Sequence, residues 1–260
     1  PSLKVDAVVH LAGEPIDGRW TDMKRQLIRR SRVEGTTRLI DTLLARPSPP
    51  RTIVCASTVG YYGDRGDELL TESSGNGDGF LSNVCHEWEG ASARAVESGM
   101  RVVHLRFGVV LCARGGALAR MLPPFRLGVG GRIGTGSQFM SWIAIDDAVG
   151  AIHHALCDDE LAGPVNVVSP NPECNRSFAK VLGRVLGRPT FGLLPAFAIK
   201  AAIGETANTL LLPSTRCSPG VLKEHGYRFR YPDLEDALKF QLGRMLSKNS
   251  LGSSHSCHEV

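Results

Sequence analysis

Apolar and polar positions along the chain predict strands and helices in alternation. Residues 4–13, 52–56 and 101–111 are nearly continuous apolar runs, which is typical of parallel strands covered on both faces. Between them, residues 20–45 and 80–97 carry apolar side chains at helical spacing and stop at proline or glycine. The order strand, helix, strand, helix, strand predicts right-handed crossovers and an α/β fold with a parallel sheet.

The pattern changes after residue 160. We expect a short strand at 164–169, followed by helices separated by Pro and Gly loops, at 177–186, 195–203 and 234–246. Such a lobe would pack over the carboxyl edge of the sheet, where ligands bind in open α/β folds. The expected organisation is a partial nucleotide-binding domain over 1–160, a mostly helical substrate lobe over 161–246 and a disordered tail over 247–260.

Charge and cysteine content exclude several classes of protein. The 260 residues carry a formal charge of only +4, with Lys and Arg dispersed, so nucleic acid is a poor partner. No apolar run is long enough to span a membrane. The seven cysteines are scattered without a C-x-x-C pair, which favours reduced thiols over disulfides or a metal site. We therefore expect a cytoplasmic or other reducing compartment, and the start at Pro1 leaves an N-terminal targeting segment open.

The glycine pattern indicates that part of a dinucleotide-binding unit is missing. Such a unit opens with a strand, a glycine-rich turn and a helix, and no such turn precedes residues 4–13. That run would be left as an open parallel edge, so we expect a larger chain whose first βαβ unit is not in this sequence. Residues 128–136 are glycine-rich but follow no clear strand and open no clear helix, and we predict a mobile loop over the substrate cleft.

Hydroxyl side chains cluster after the second strand, in C-A-S-T-V-G-Y-Y-G-D over residues 55–64. Ser57, Thr58 and Tyr61 are candidate catalytic residues, because hydroxyls at a strand end can polarise a substrate carbonyl or hydroxyl for hydride transfer. Equally, Ser57 or Thr58 can cap the strand end, and a tyrosine can serve in packing.

The segments V-V-H-L-A-G-E-P-I, S-T-V-G-Y-Y-G-D, L-R-F-G-V-V-L and S-W-I-A-I-D-D, in this order, resemble one family. It is the epimerase-like (YfcH-like) branch of the atypical and extended short-chain dehydrogenase/reductases, and the resemblance covers about residues 5–242. It implies a Rossmann-type sheet, NADP as cofactor, and an oxidoreductase or epimerase acting on an unknown small or nucleotide-linked substrate. A homodimer is possible. A non-catalytic NADP-binding regulatory protein, for example in cell or organelle division, remains the alternative.

The resemblance also implies site residues. Leu11 and Ala12 after the first strand, Arg32 on the next helix and Val110 after the third strand match cofactor-binding positions. Without the glycine-rich turn, we expect NADP binding by this chain to be impaired.

Relatives carry a Tyr and a Lys four residues apart on the second helix, where the ammonium lowers the tyrosine pKa. Here Leu81 and Cys85 take the two positions, since no lysine occurs between Lys24 and Lys180. The standard acid–base pair is therefore absent.

Two acidic groups have structural interpretations. Glu87 and Glu89 flank Trp88, which predicts an acidic helix face around one buried aromatic side chain. Asp146 and Asp147 follow an apolar stretch, and we expect at least one of them to cap the N-terminus of a helix.

Overall fold

A computed structural model describes residues 4–190, 192–194 and 212–244 of the chain. The strands are β1 Ala7–His10, β2 Thr52–Thr58, β3 Leu69–Leu70, β4 Arg101–Phe107, β5 Val109–Leu111, β6 Gly131–Ile133, β7 Phe139–Met140, β8 Trp142–Ala144, β9 Gly163–Val167, β10 Glu173–Cys174, β11 Gly192–Leu194 and β12 Arg216–Cys217. The helices are α1 Asp22–Leu44, α2 Phe80–Gly90, α3 Ala93–Glu97, α4 Gly116–Arg126, α5 Ile145–Cys157, α6 Asn175–Leu186, α7 Gly220–Glu224 and α8 Leu234–Gln241.

Four parallel strands form the main sheet, in the order β1-β2-β4-β9. Its centre is apolar on both faces: Ile53, Val54, Val103, Leu105 and Val165 are fully buried. This double coverage explains the unbroken apolar runs and confirms the predicted α/β fold with a parallel sheet. Strand β1 lies at one edge, where β2 is its only partner among the described residues.

Helices cover the two faces of this sheet. On one face, Ile40 and Leu43 of α1 and Ala95 of α3 pack with Ile53 and Val102. On the other, the small side chains of α5 pack against the central strands, through Ala148, Ala151 and Ala155. The carboxyl ends of β1, β2 and β4 thus open toward one edge between two helical layers, the position expected for a ligand.

A second apolar cluster joins α4, α6 and α8 around Trp142 of β8. Leu118, Phe178, Leu182 and Leu238 are almost completely buried there, and burying each such side chain stabilises the fold by roughly 1.5–3 kcal/mol. Strand β8 pairs with β5, which continues directly from the main sheet. The cluster draws on residues before and after position 160, and the domain boundaries stay a prediction.

Two predicted elements differ from the structure. The single helix expected at 80–97 is two helices, because the Ser92 hydroxyl donates to the Glu89 carbonyl and lies 2.7 Å from His104 Nε2. Part of the predicted loop at 128–136 is strand β6, paired in parallel with β11. A Cβ on Gly131 would lie 1.7 Å from the Gly192 carbonyl oxygen, so glycine here permits close backbone approach.

The last predicted helix ends at Gln241 and not at residue 246. Helix α4 was not expected, since it contains Pro123 and Pro124. The predicted helix at 195–203 and the tail at 247–260 lie outside the described residues.

Candidate functional site

The two adjacent hydroxyls at the end of β2 point in different directions. Ser57 is 3% exposed, and its hydroxyl donates to Glu89 Oε1 at 2.6 Å. Thr58 is half-buried, and its oxygen accepts the Gly60 N–H at 3.2 Å, which caps the 3₁₀ turn Val59–Tyr62. The Ser57 hydroxyl is therefore occupied inside the protein. The Thr58 hydroxyl proton has no acceptor within the part of the chain that the structure describes.

The two tyrosines of this turn also differ. Tyr62 is fully buried; its hydroxyl donates to Asn166 Oδ1 at 2.8 Å and accepts from Arg106 Nη1 at 2.9 Å. Burial raises the Tyr62 pKa to about 12. Tyr61 is half-buried, with its ring 3.6 Å from the Arg106 guanidinium carbon and edge-on to the Tyr62 ring. Its hydroxyl bonds to none of the described residues, so Tyr61 is the phenol that a ligand can use.

A buried ion pair lies beneath this turn. Arg106 is 3% exposed. Its Nε and Nη2 donate hydrogen bonds to the Glu89 carboxylate, at 2.9 and 2.7 Å. Burial by itself lowers the Arg106 pKa, but the hydrogen bonds and charge of Glu89 outweigh it and the net pKa is raised. The same carboxylate accepts the Ser57 hydroxyl. Glu89 is thus the centre of a buried polar network.

Sequence reasoning missed this network, although it predicted a structural role for Glu89. A signal was present: Arg106 lies between Leu105 and Phe107 in a strand predicted to be buried, and a buried charge requires a partner. The predicted burial of Trp88 is confirmed, and its Nε1 donates to Thr36. The predicted acidic face is wrong, because Glu89 points inward to Arg106 while Glu87 pairs with Arg29 at the surface.

The two α2 positions at which the family resemblance implies Tyr and Lys are apolar here. Leu81 is 4% exposed, and a Cβ on Gly60 would lie 2.8 Å from its Cδ2. Cys85 is completely buried, and this burial raises its thiol pKa to about 12. Helix α2 therefore presents no proton donor to the end of β2 at these positions. The exposed His86 lies nearby, with its ring centroid 6.3 Å from that of Tyr61.

Three of the four predicted cofactor-binding residues meet at the end of β1. Leu11 and Ala12 are exposed there. The guanidinium of Arg32, on α1, lies against Gly13. A Cβ added to Gly13 would be 3.2 Å from the guanidinium carbon. The Nη1 of Arg32 donates to the carbonyls of Glu14 and Ile28, at 3.0 and 3.2 Å.

Burial lowers the pKa of Arg32, and its guanidinium lies 5.1 Å from the Trp88 ring centroid. Its Nε and Nη2 bond to no described residue, so one side of the guanidinium is available. Val110 lies on a different pair of strands, where it is half-buried opposite Ile143.

Neither aspartate at the start of α5 is a helix cap. The cap position is Ala144, without a side-chain hydrogen bond. Asp147 instead accepts the backbone N–H groups of Arg230 and Tyr231, at 2.7 and 2.9 Å. Asp146 accepts from Gln241 at 2.9 Å. The capping prediction is wrong because both carboxylates bind segments that follow much later in the chain.

Residues 1–168 match the sequence model of the NAD dependent epimerase/dehydratase family, and residues 194–241 match a domain of unknown function, DUF1731. The chain belongs to the NAD-dependent epimerase/dehydratase family. Epimerase family protein Mb2239 of Mycobacterium bovis is 41% identical over 241 residues, 92% of this chain and 79% of that protein. Human epimerase family protein SDR39U1 is 39% identical over 238 residues, 90% of this chain and 81% of that protein.

Solved structures agree with this assignment. The crystal structure of human SDR39U1 isoform 2 with NADPH has a TM-score of 0.89 at 37% identity, over 94% of this chain and 83% of that one. A nucleoside-diphosphate sugar epimerase from Corynebacterium glutamicum has a TM-score of 0.73 at 39% identity, over 92% of this chain and 46% of that one. The predicted membership of the epimerase-like short-chain dehydrogenase/reductases and the Rossmann-type fold are confirmed.

Other features constrain the protein less. Within the described ranges, no helix is both long and apolar enough to cross a bilayer. No group of three or more His, Cys, Asp or Glu side chains in those ranges is arranged to hold a metal ion. The six described cysteines are free thiols. A reducing compartment and a homodimer stay predictions.

Proposed function

We propose that this chain binds NADP(H) and acts as an oxidoreductase or epimerase on a small or nucleotide-linked substrate. The observation that carries the proposal is the end of β1, where exposed backbone meets a half-buried arginine, in a fold that superimposes on an NADPH-bound relative. Because the chain belongs to the NAD-dependent epimerase/dehydratase family, hydride transfer is the reaction that we propose for a dinucleotide bound at the end of β1.

The residues at this edge suit a phosphorylated dinucleotide. Ala12 and Gly13 are small, so a ribose can approach the backbone closely. The free Nε and Nη2 of Arg32 form a planar fork that matches phosphate geometry. Leu11 supplies exposed apolar surface beside them. When bound, the cofactor would supply or accept the hydride.

Chemistry at the substrate oxygen would rest on Tyr61 and Thr58. Tyr61 has a hydroxyl with no bond to the described residues, and its ring is held against Arg106. We assign it the role of donor to the substrate oxygen. Ser57 and Glu89 act as positioning residues, because they fix the guanidinium on which that ring rests.

Calorimetry tests the cofactor half of the proposal. NADPH and NADH would be titrated into this chain and into the same chain preceded by a glycine-rich βαβ unit. We expect tighter binding by the longer form and a preference for NADPH. In the longer form, Arg32→Gln should weaken NADPH binding by about tenfold or more, because one charge-assisted hydrogen bond is lost.

Arg30→Gln is the matched control, since Arg30 lies on the same helix and pairs only with Glu34 among the described residues. If neither form binds a dinucleotide, the cofactor assignment fails and a partner-binding regulatory role becomes the better explanation. An equal loss in both arginine variants would point to general charge and not to a site.

Tyr61→Phe tests the chemical half, because it removes the hydroxyl and keeps the ring against Arg106. A screen of carbonyl metabolites, followed by NADPH absorbance, would identify a turnover to compare. We expect the variant to lose a factor of about 10²–10⁴ in kcat while NADPH affinity is unchanged. Full turnover by Tyr61→Phe would exclude the phenol as proton donor, and Thr58→Val would then be the next variant to measure.

A further inference from the structure

Three arginines line a cavity whose residues follow β1 by more than 100 positions in the sequence. It has a volume of about 390 Å³ and lies where helices α4, α6 and α8 end. Arg126, Arg188 and Arg244 line it together with the apolar side chains of Ala113, Leu186 and Leu242. Gln241 completes the described lining, which contains no acidic side chain, so the cavity combines positive charge with apolar surface.

The three guanidinium groups are poorly compensated. Arg126 and Arg188 are exposed and form no salt bridge or side-chain hydrogen bond with any described residue. Among the described residues, Arg244 bonds through its Nη1 alone, which donates to the Val185 carbonyl at 2.5 Å. The carboxylate of Glu235 on α8 is already occupied, by Arg184 and Lys239.

Helix ends account for part of this arrangement. A cation in the last turn of a helix interacts favourably with its dipole, which explains Arg126 on α4. Arg244 similarly satisfies a carbonyl in the last turn of α6. Arg188 lies beyond α6, after Gly187, and its guanidinium forms no hydrogen bond to a carbonyl of any described helix end. Three like charges around one cavity raise the local concentration of anions, so an anion bound between them would be stabilised.

We infer that this cavity binds a small organic phosphate, with the phosphate held by Arg126, Arg188 and Arg244 and the organic part against Leu186 and Leu242. Arginine forks match phosphate oxygens in a bidentate manner. The cavity volume is within the range of small-molecule sites. The site is independent of the proposed cofactor position, because it shares no residue with it.

Calorimetry with phenyl phosphate, inorganic phosphate and pyrophosphate tests the inference, at about 0.15 M ionic strength so that weak surface attraction is screened. We expect phenyl phosphate to bind more tightly than inorganic phosphate, since only the former reaches the two leucines. Arg188→Gln and Arg126→Gln should each weaken phenyl phosphate binding by about tenfold or more. Arg188→Lys should lose part of the affinity, because it keeps the charge and loses the fork.

The controls separate this site from the cofactor site. Arg30→Gln removes an exposed arginine elsewhere and should leave phenyl phosphate affinity unchanged. If Arg32→Gln abolishes binding and Arg188→Gln does not, the anion sits at the end of β1 and the inference is overturned. Equal binding by all variants, or none by the unmodified chain, also overturns it. Arg188 has no described partner, so its variant should keep the unfolding temperature of the parent chain; Arg126→Gln loses an interaction with the α4 dipole of at most about 1 kcal/mol, so it too should stay folded.

Discussion

Glu89→Gln should destabilise the fold strongly, because it removes the charge that compensates a buried arginine. Arg106 and Glu89 have side chains only 4% and 12% exposed, and two hydrogen bonds join them. Removing one member of a buried pair costs about 3–5 kcal/mol, since the other charge is left without a partner. Glutamine keeps the shape and one acceptor, so we expect about 3 kcal/mol. For a chain of this size, that lowers the unfolding temperature by roughly 6–12 °C.

Urea and thermal unfolding would measure the change, and the chain offers a matched control on the same helix. Glu87 pairs with Arg29 at 2.6 Å, but those side chains are 39% and 49% exposed. Exposed pairs contribute about 0–1 kcal/mol, so Glu87→Gln should change the unfolding free energy by no more than that. If the two glutamine variants lose the same stability, the reasoning from burial is refuted.

Two further predictions concern titratable side chains. Burial lowers the pKa of His104, so as the pH falls below the ordinary histidine pKa the unfolded chain takes up the proton first, and the free energy of unfolding should decrease from about pH 7.5 to about pH 5.5. His104→Gln should flatten that decrease in urea unfolding, and an unchanged pH slope would contradict it. Cys157 is exposed, whereas Cys85 is buried with its pKa raised to about 12. Iodoacetamide under native conditions should therefore alkylate Cys157 faster than Cys85. Similar alkylation rates of the two thiols, followed by mass spectrometry, would contradict the burial of Cys85.

The sheet was predictable because its strands carry their own signal. Parallel strands buried on both faces read as apolar runs, and each was found within a few residues of its expected place. Helix α4 was not predictable from local pattern, since prolines at 123 and 124 argue against a helix. Leu118, Leu122 and Phe125 of α4 enter the second apolar cluster, and this packing outweighs the local preference.

The position of the candidate residues in the fold was predictable, but their contacts were not. The hydroxyl motif marks the end of β2 correctly, yet the sequence does not say which hydroxyl faces the interior. Successive side chains of a strand alternate between faces, and this places Ser57 inward beside Glu89 and leaves Thr58 half-buried. The partner lies 32 residues away on another element, and no local pattern encodes such a pairing.

The absence of a Tyr and Lys pair on α2, where Leu81 and Cys85 lie, limits what this site can do. A lysine beside a catalytic tyrosine supplies a net positive charge, which stabilises the phenolate. Here the cation that stacks on the Tyr61 ring is Arg106. Glu89 balances its charge through a salt bridge with two hydrogen bonds. A balanced pair holds the ring in place without lending it that charge. Tyr61 is therefore placed to orient a substrate oxygen as a hydrogen-bond donor. If this protein is an enzyme of the proposed kind, its turnover should depend on the Tyr61 hydroxyl. A regulatory protein of the same fold would bind the dinucleotide equally well without that hydroxyl.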